Sequence, residues 1–277
     1  MRLSDNRWIM TIVIGLLIAV SLFNTLDAMG DRYIDGAFKR SLIGFAVARG
    51  LNGVISVAQG TEFAVAPAGI GVSFAPGEIL DPINDLVERF SWIMLLSSSA
   101  IGVQKVLMSM SAWQGLGIVL AVTGLVLIVF QWVRSQPLWL SNLVTRLFLL
   151  LLILRFMMPV VSIANEWVYR TFLQDQYQSA STELESAQAR IGAINDELIA
   201  PKPKPDEDPG VLERARELYR SAMNQIDFSQ RLEDYKLAAE TISENTIRLI
   251  VVFLMQTVVF PLIFLWLVYV FLKKVLL

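Results

Sequence analysis

Cysteine and histidine are both absent from the 277 residues. Without cysteine there are no disulfides, no thiolate nucleophile and no thiolate-ligated metal. Without histidine the commonest general base and the commonest metal ligand are gone as well. Carboxylates are missing from whole stretches: no Asp or Glu occurs from Arg89 to Asn165, or from Thr246 to the C-terminus. A proton or cation pump ordinarily needs a carboxylate inside the membrane, so the pattern disfavours that class. No glycine-rich phosphate loop ends in Lys-Ser or Lys-Thr, and no dinucleotide fingerprint is found. Nothing calls for a cofactor, a metal or a nucleic acid. The formal net charge of −2 favours no partner class.

What is present is apolar. Hydrophobic residues make up 55% of the chain, above the roughly 45–50% of soluble proteins. They come in blocks: between Arg89 and Arg134 the only charged residue is Lys105. Blocks of about 20 residues are what a helix needs to cross a hydrocarbon core of about 30 Å. The fold class expected is a mainly α integral membrane protein. It has about four transmembrane helices, a long antiparallel helical hairpin outside the membrane and a small β-hairpin.

Residues 1–30 read as an N-terminal signal-anchor helix, basic at Arg2 and Arg7 and apolar over Trp8–Leu26. Residues 31–113 hold an amphipathic helix, a β-hairpin and an interfacial or re-entrant helix. The first shows helical spacing at Ile34, Phe38, Leu42 and Phe45. The β-hairpin is read from alternation over Thr61–Ala75, with Ala66-Pro67-Ala68-Gly69 as its turn. Asp81-Pro82 then suits a helix start, with aspartate as cap and proline first. Residues 114–164 hold the second and third spans, 165–245 a coiled-coil hairpin, and 246–277 the last span.

Phe90–Met110 sets the topology. If it stays at the interface or re-enters, there are four spans, and Arg2, Arg7, Arg134, Lys273 and Lys274 all fall in the cytoplasm. If it crosses, there are five, and the last three fall outside. The positive-inside bias favours four. The chain is then a multi-pass protein of a bacterial inner membrane with a periplasmic hairpin.

The hairpin's first arm has apolar or small residues at Leu173, Tyr177, Ala180, Leu184, Ala187, Ile191, Ile194 and Leu198, spaced four and three in turn. That is the seam of a coiled coil. Leu218 and Leu232 belong to the seam of the second arm. The connection is proline-rich and cannot continue a helix. Arms of about 37 residues reach about 55 Å at 1.5 Å per residue. Over Asn165–Asn245 there are 16 acidic and 9 basic residues, a net of −7. The alanines leave the seam thin, which invites further helices and favours oligomerisation.

Four intramembrane residues are candidates for function: Lys105, Arg146, Arg155 and Gln256. Arg155 lies well inside the third span. With no acidic residue in the spans to meet it, it is expected to snorkel, bind carbonyls, meet Gln256 or face water. Arg146, nine residues earlier, points to the opposite face. The function expected is a non-enzymatic assembly or scaffold protein. Its partners are the bilayer and either a second copy or another membrane protein, met through the acidic hairpin. The alternative is an oligomeric channel or transporter, with anions as its cargo.

Overall fold

A computed structural model describes residues 3–23, 25–60, 63–65, 72–74, 77–133, 137–199 and 211–276. The described chain is helical apart from one short ladder. Its helices are α1 (Leu3–Leu22), α2 (Thr25–Gln59), α3 (Gly77–Ser111), α4 (Gln114–Trp132), α5 (Leu138–Val168), α6 (Gln174–Ile199), α7 (Val211–Leu254) and α8 (Phe260–Leu276). Wide π-turns at Tyr169–Leu173 and Met255–Val259 join α5 to α6 and α7 to α8.

The ladder pairs Phe63–Val65 with Val72–Phe74, antiparallel, with Phe63 opposite Phe74. Three pairs are too few to stand as an independent element, and residues 66–69, where the turn was expected, lie outside the described residues. The class is therefore all-helical, and the β-hairpin of the sequence reading is not part of it. The start of α3 also differs from expectation. The helix begins at Gly77, so Pro82 lies inside it and Asp81 is not its cap. Asp81 instead accepts a 2.6 Å hydrogen bond from Gln59 Nε2.

The chain forms two compact units, each drawing on distant segments. Unit 1 comprises Met1–Arg40, Ser97–Phe172 and Leu254–Leu277; unit 2 comprises Ser41–Leu96 and Leu173–Phe253. In unit 1, α1 lies along α4 and α4 along α5. Ile14, Leu120, Leu127, Phe148 and Leu151 form their shared core. Thr11 donates to Gln131 Oε1 at 3.3 Å, and the rings of Trp8 and Trp132 meet edge to face at 4.9 Å. At the other end Gly117 lies against the Ser21 carbonyl, where a Cβ would come within 3.2 Å. These contacts make α1 and α4 antiparallel, and glycine lets the two backbones close up. α3 does not fold back along α4. It runs against the first part of α2, where Met108 covers Gly30 and Lys105 meets Asp35.

Unit 2 is built from the remainder of α2, the first part of α3, α6 and most of α7. Leu173, Tyr177, Ala180, Leu184, Ala187, Ile191 and Ile194 are all buried. Gln188 of α6 crosses Gly50 of α2 so closely that a Cβ there would stand 2.6 Å from Nε2. Gly44 of α2 faces Met94 of α3 and Phe253 of α7. α2 of the same chain lies against α6, through Gln188 on Gly50 and Asn195 Nδ2 on the Val54 carbonyl. Leu232 is half-buried, while the side chains at Leu198 and Leu218 lie outside the described residues.

Candidate functional site

The α1–α2 junction carries the densest polar chemistry in unit 1. α1 ends at Leu22 and α2 begins at Thr25, so the last carbonyls of one helix and the first turn of the next come together in apolar surroundings. Such a junction needs a donor for the carbonyls and an anion near the new N-terminus. Arg155 of α5 and Asp27 of α2 meet both needs.

Arg155 donates from Nη1 to Asp27 Oδ1 at 2.7 Å and from Nη2 to Asp27 Oδ2 at 2.5 Å. It also donates to the Ser21 carbonyl, from Nη2 at 3.0 Å and from Nε at 3.3 Å. The pair is bidentate, the arrangement in which arginine binds a carboxylate most firmly. Arg155 is 2% exposed and Asp27 4%. Ser111, at the end of α3, donates to the carbonyls of Arg155 at 2.7 Å and Leu154 at 3.0 Å. Four helices therefore converge on one guanidinium and its backbone.

This corrects the expectation that Arg155 has no acidic partner. Asp27 sits between the apolar run of α1 and the amphipathic run of α2, at a position the sequence reading placed outside every span. The signal was present: Asp27 is the only carboxylate in the first turn of α2, where a helix N-terminus favours negative charge. Gln256 is not the partner. It is 4% exposed within the second π-turn, and among the described residues neither its Oε1 nor its Nε2 has a hydrogen-bond partner. Arg146 is exposed. Lys105 is about half exposed and pairs with Asp35 at 2.6 Å. Of the four candidates, only Arg155 belongs to a built site.

A second cluster in unit 1 holds Arg40. Its guanidinium lies 3.8 Å from the ring centre of Tyr169 and 5.8 Å from that of Tyr33. In unit 2, Tyr235 donates to Asn195 Oδ1 at 3.1 Å, and Asn195 Nδ2 donates to the Val54 carbonyl at 2.9 Å. That chain ties α7 to α6 and α6 to α2. Burial pushes the Tyr235 phenol up from its usual 10 to about 12, with Arg231 opposing. The phenol therefore remains a donor throughout the neutral range.

Chemically, the Arg155 guanidinium is largely occupied. Four of the five N–H groups of an arginine have acceptors here. Among the described residues no group of three or more acidic side chains could hold a metal ion. Compared with known families, with curated proteins and with solved structures, the chain has no match.

Proposed function

We propose that the protein is a non-enzymatic scaffold of a bacterial inner membrane, anchored by four spans, whose acidic helical hairpin docks a partner on the periplasmic side. The observation that carries this is how the hairpin spends its two kinds of residue. Its apolar seam is consumed inside unit 2, while Asp175, Glu183, Glu185 and Asp196 of α6 and Glu233, Glu240 and Glu244 of α7 are exposed. An outward acidic surface on a packed unit is suited to contact with a basic partner.

Four spans are favoured by the arrangement of unit 1. α4 is bracketed by the exposed rings of Trp113 and Trp132, about 28 Å apart at 1.5 Å per residue. That matches a hydrocarbon core of about 30 Å with aromatic residues at both interfaces. α3 runs along α2 and not along α4, so it does not share the slab that α4 crosses. Five helices are long and apolar enough to cross a membrane by length and composition, α2 and α3 among them, while α1 offers a shorter apolar helix, Arg7–Leu22. The packing argues for leaving α3 at the membrane surface. Both termini then lie on the side of the basic residues.

The channel reading loses the free guanidinium on which an anion path rested, because Asp27 neutralises Arg155. It retains one observation in its favour, the buried Gln256 in a π-turn, unpartnered among the described residues, a feature frequent at functional sites. The two readings separate in liposomes. A scaffold passes no ions when the pure protein is reconstituted; flux abolished by Gln256→Leu would establish the channel instead. For docking, a photo-crosslinker at exposed Ser179 in cells should trap a partner, and Glu183→Lys with Glu185→Lys should abolish the adduct. Labelling of Lys204→Cys from the periplasm tests the topology, and labelling from the cytoplasm alone would refute it.

A further inference from the structure

We propose that Arg146, together with Asn142 and Trp139, holds the phosphate of an anionic phospholipid at the end of α5 that follows the turn from α4. All three side chains are exposed. Among the described residues, none of the three forms a hydrogen bond or an ion pair with the protein. Their neighbour Thr145 is accounted for, because its hydroxyl donates to the Ser141 carbonyl at 2.8 Å.

The surface around them fixes the medium. α1 exposes Ile12 and Leu16, α4 exposes Leu125 and Val129, and α5 exposes Leu143 and Leu147. Over residues 9–22, 116–131 and 140–154, the exposed polar side chains are Asn142, Thr145 and Arg146, and Arg146 carries the only charge. So apolar a band on three packed helices suits hydrocarbon. A guanidinium is costly there unless it reaches an anion or water.

The packing gives the depth of that charge. Gly124 of α4 lies against Phe148 of α5 and Gly117 against Arg155, so the two helices run antiparallel. Arg146 therefore stands level with Val126, six residues or about 9 Å inside Trp132. Trp8 packs on Trp132, and Trp139, seven residues before Arg146, reaches the same aromatic belt. Helical side chains lean toward the N-terminus of their helix, which for Arg146 is toward this belt. Its stem lets the charge rise to a headgroup while the apolar part stays in lipid. Asn142 lies four residues nearer the belt on the same face. A guanidinium grips a phosphate through two parallel bonds, and the amide and the indole N–H supply further donors above it. No carboxylate occurs in α4, or in α5 before Glu166. Nothing on these two spans meets the cation of a zwitterionic headgroup, which selects an anionic one.

The proposal rests on reading α1, α4 and α5 as spans. It is indifferent to which face is cytoplasmic, so the Lys204→Cys labelling can fail without touching it. Its own test titrates the purified full chain in neutral detergent with phosphatidylglycerol, phosphatidylcholine or inorganic phosphate. Native mass spectrometry counts bound lipids and protein copies together. The tightest site should prefer phosphatidylglycerol to phosphatidylcholine, and Arg146→Gln should weaken it about tenfold. Arg146→Lys should fall between the two, since it keeps the charge and loses the fork. Lys105→Gln, on a different helix, should leave the site unchanged. Arg146 touches no other side chain through a polar bond, so Arg146→Gln should melt as the wild type does, which separates lost binding from misfolding. Equal binding of phosphatidylglycerol by wild type and Arg146→Gln overturns the proposal. Displacement of the lipid by inorganic phosphate would assign the site to a soluble anion instead. A change in the number of protein copies on Arg146→Gln would assign this face to a second chain.

Discussion

Unit 1 buries a charge, and its apolar helices are held around that charge by Asp27 and the Ser21 carbonyl. Unit 2 keeps the charges of α6 and α7 largely on its outside and fills its interior with leucine, isoleucine and alanine. Its buried polar pair, Asn195 and Tyr235, is neutral. The difference follows from what each unit must solve. Unit 1 contains a break between two helices, with backbone groups that need partners where water is scarce. α6 of unit 2 runs unbroken from Gln174 to Ile199, and its backbone groups are satisfied within the helix. A buried ion pair is therefore a repair of the backbone in unit 1. Unit 2 relies on apolar area.

The sharpest way to break this comparison is to remove one partner in unit 1. Asp27→Asn should cost about 3–5 kcal/mol, because it leaves a buried guanidinium uncompensated. Denaturant or thermal unfolding in detergent measures it. Asp27→Leu combined with Arg155→Leu should recover part of that loss and not all, since the Ser21 carbonyl still loses its donor. Full recovery would show that the junction does not need Arg155.

In unit 2 the matching experiment is a truncation. Leu184 is 0% exposed, and Leu184→Ala should cost about 2–5 kcal/mol. Hydrogen exchange should report the loss in α6 more strongly than in α1. A smaller effect is expected from Tyr235→Phe, about 1–3 kcal/mol, because Asn195 Oδ1 loses its donor. This variant also has a pH signature. The phenol's pKa is raised on folding, so its contribution is intact below about pH 10 and is lost as the pH rises through about 12. Wild-type unfolding should show that alkaline loss, and Tyr235→Phe should lack it. The weakest change is Lys105→Met. The Lys105–Asp35 pair is exposed, and exposed pairs contribute little, so the melting temperature should not move.

The periodicity of the first arm was the most legible feature. Its 4-3 spacing is a local property, and every described position of the first-arm seam is buried as the spacing requires. The proline-rich stop was legible for the same reason: α6 ends at Ile199, two residues before Pro201. The start of α3 was misread because Asp-Pro is a good helix opening in isolation, while the helix actually begins five residues before the proline. The partner of Arg155 was missed because Asp27 is 128 residues away, and no local rule connects the two.

By itself, the sequence determined the helical class, the apolar blocks and the periodic faces, since these depend on residues within a few turns of each other. It also determined that any chemistry must do without thiol or imidazole. Only the tertiary structure decided that α2 lies against α6, that α3 runs along α2, and that the charge at Arg155 is answered from a helix junction far along the chain. Those outcomes depend on which segments become neighbours in space, and a buried charge takes as its partner whichever carboxylate the packing delivers.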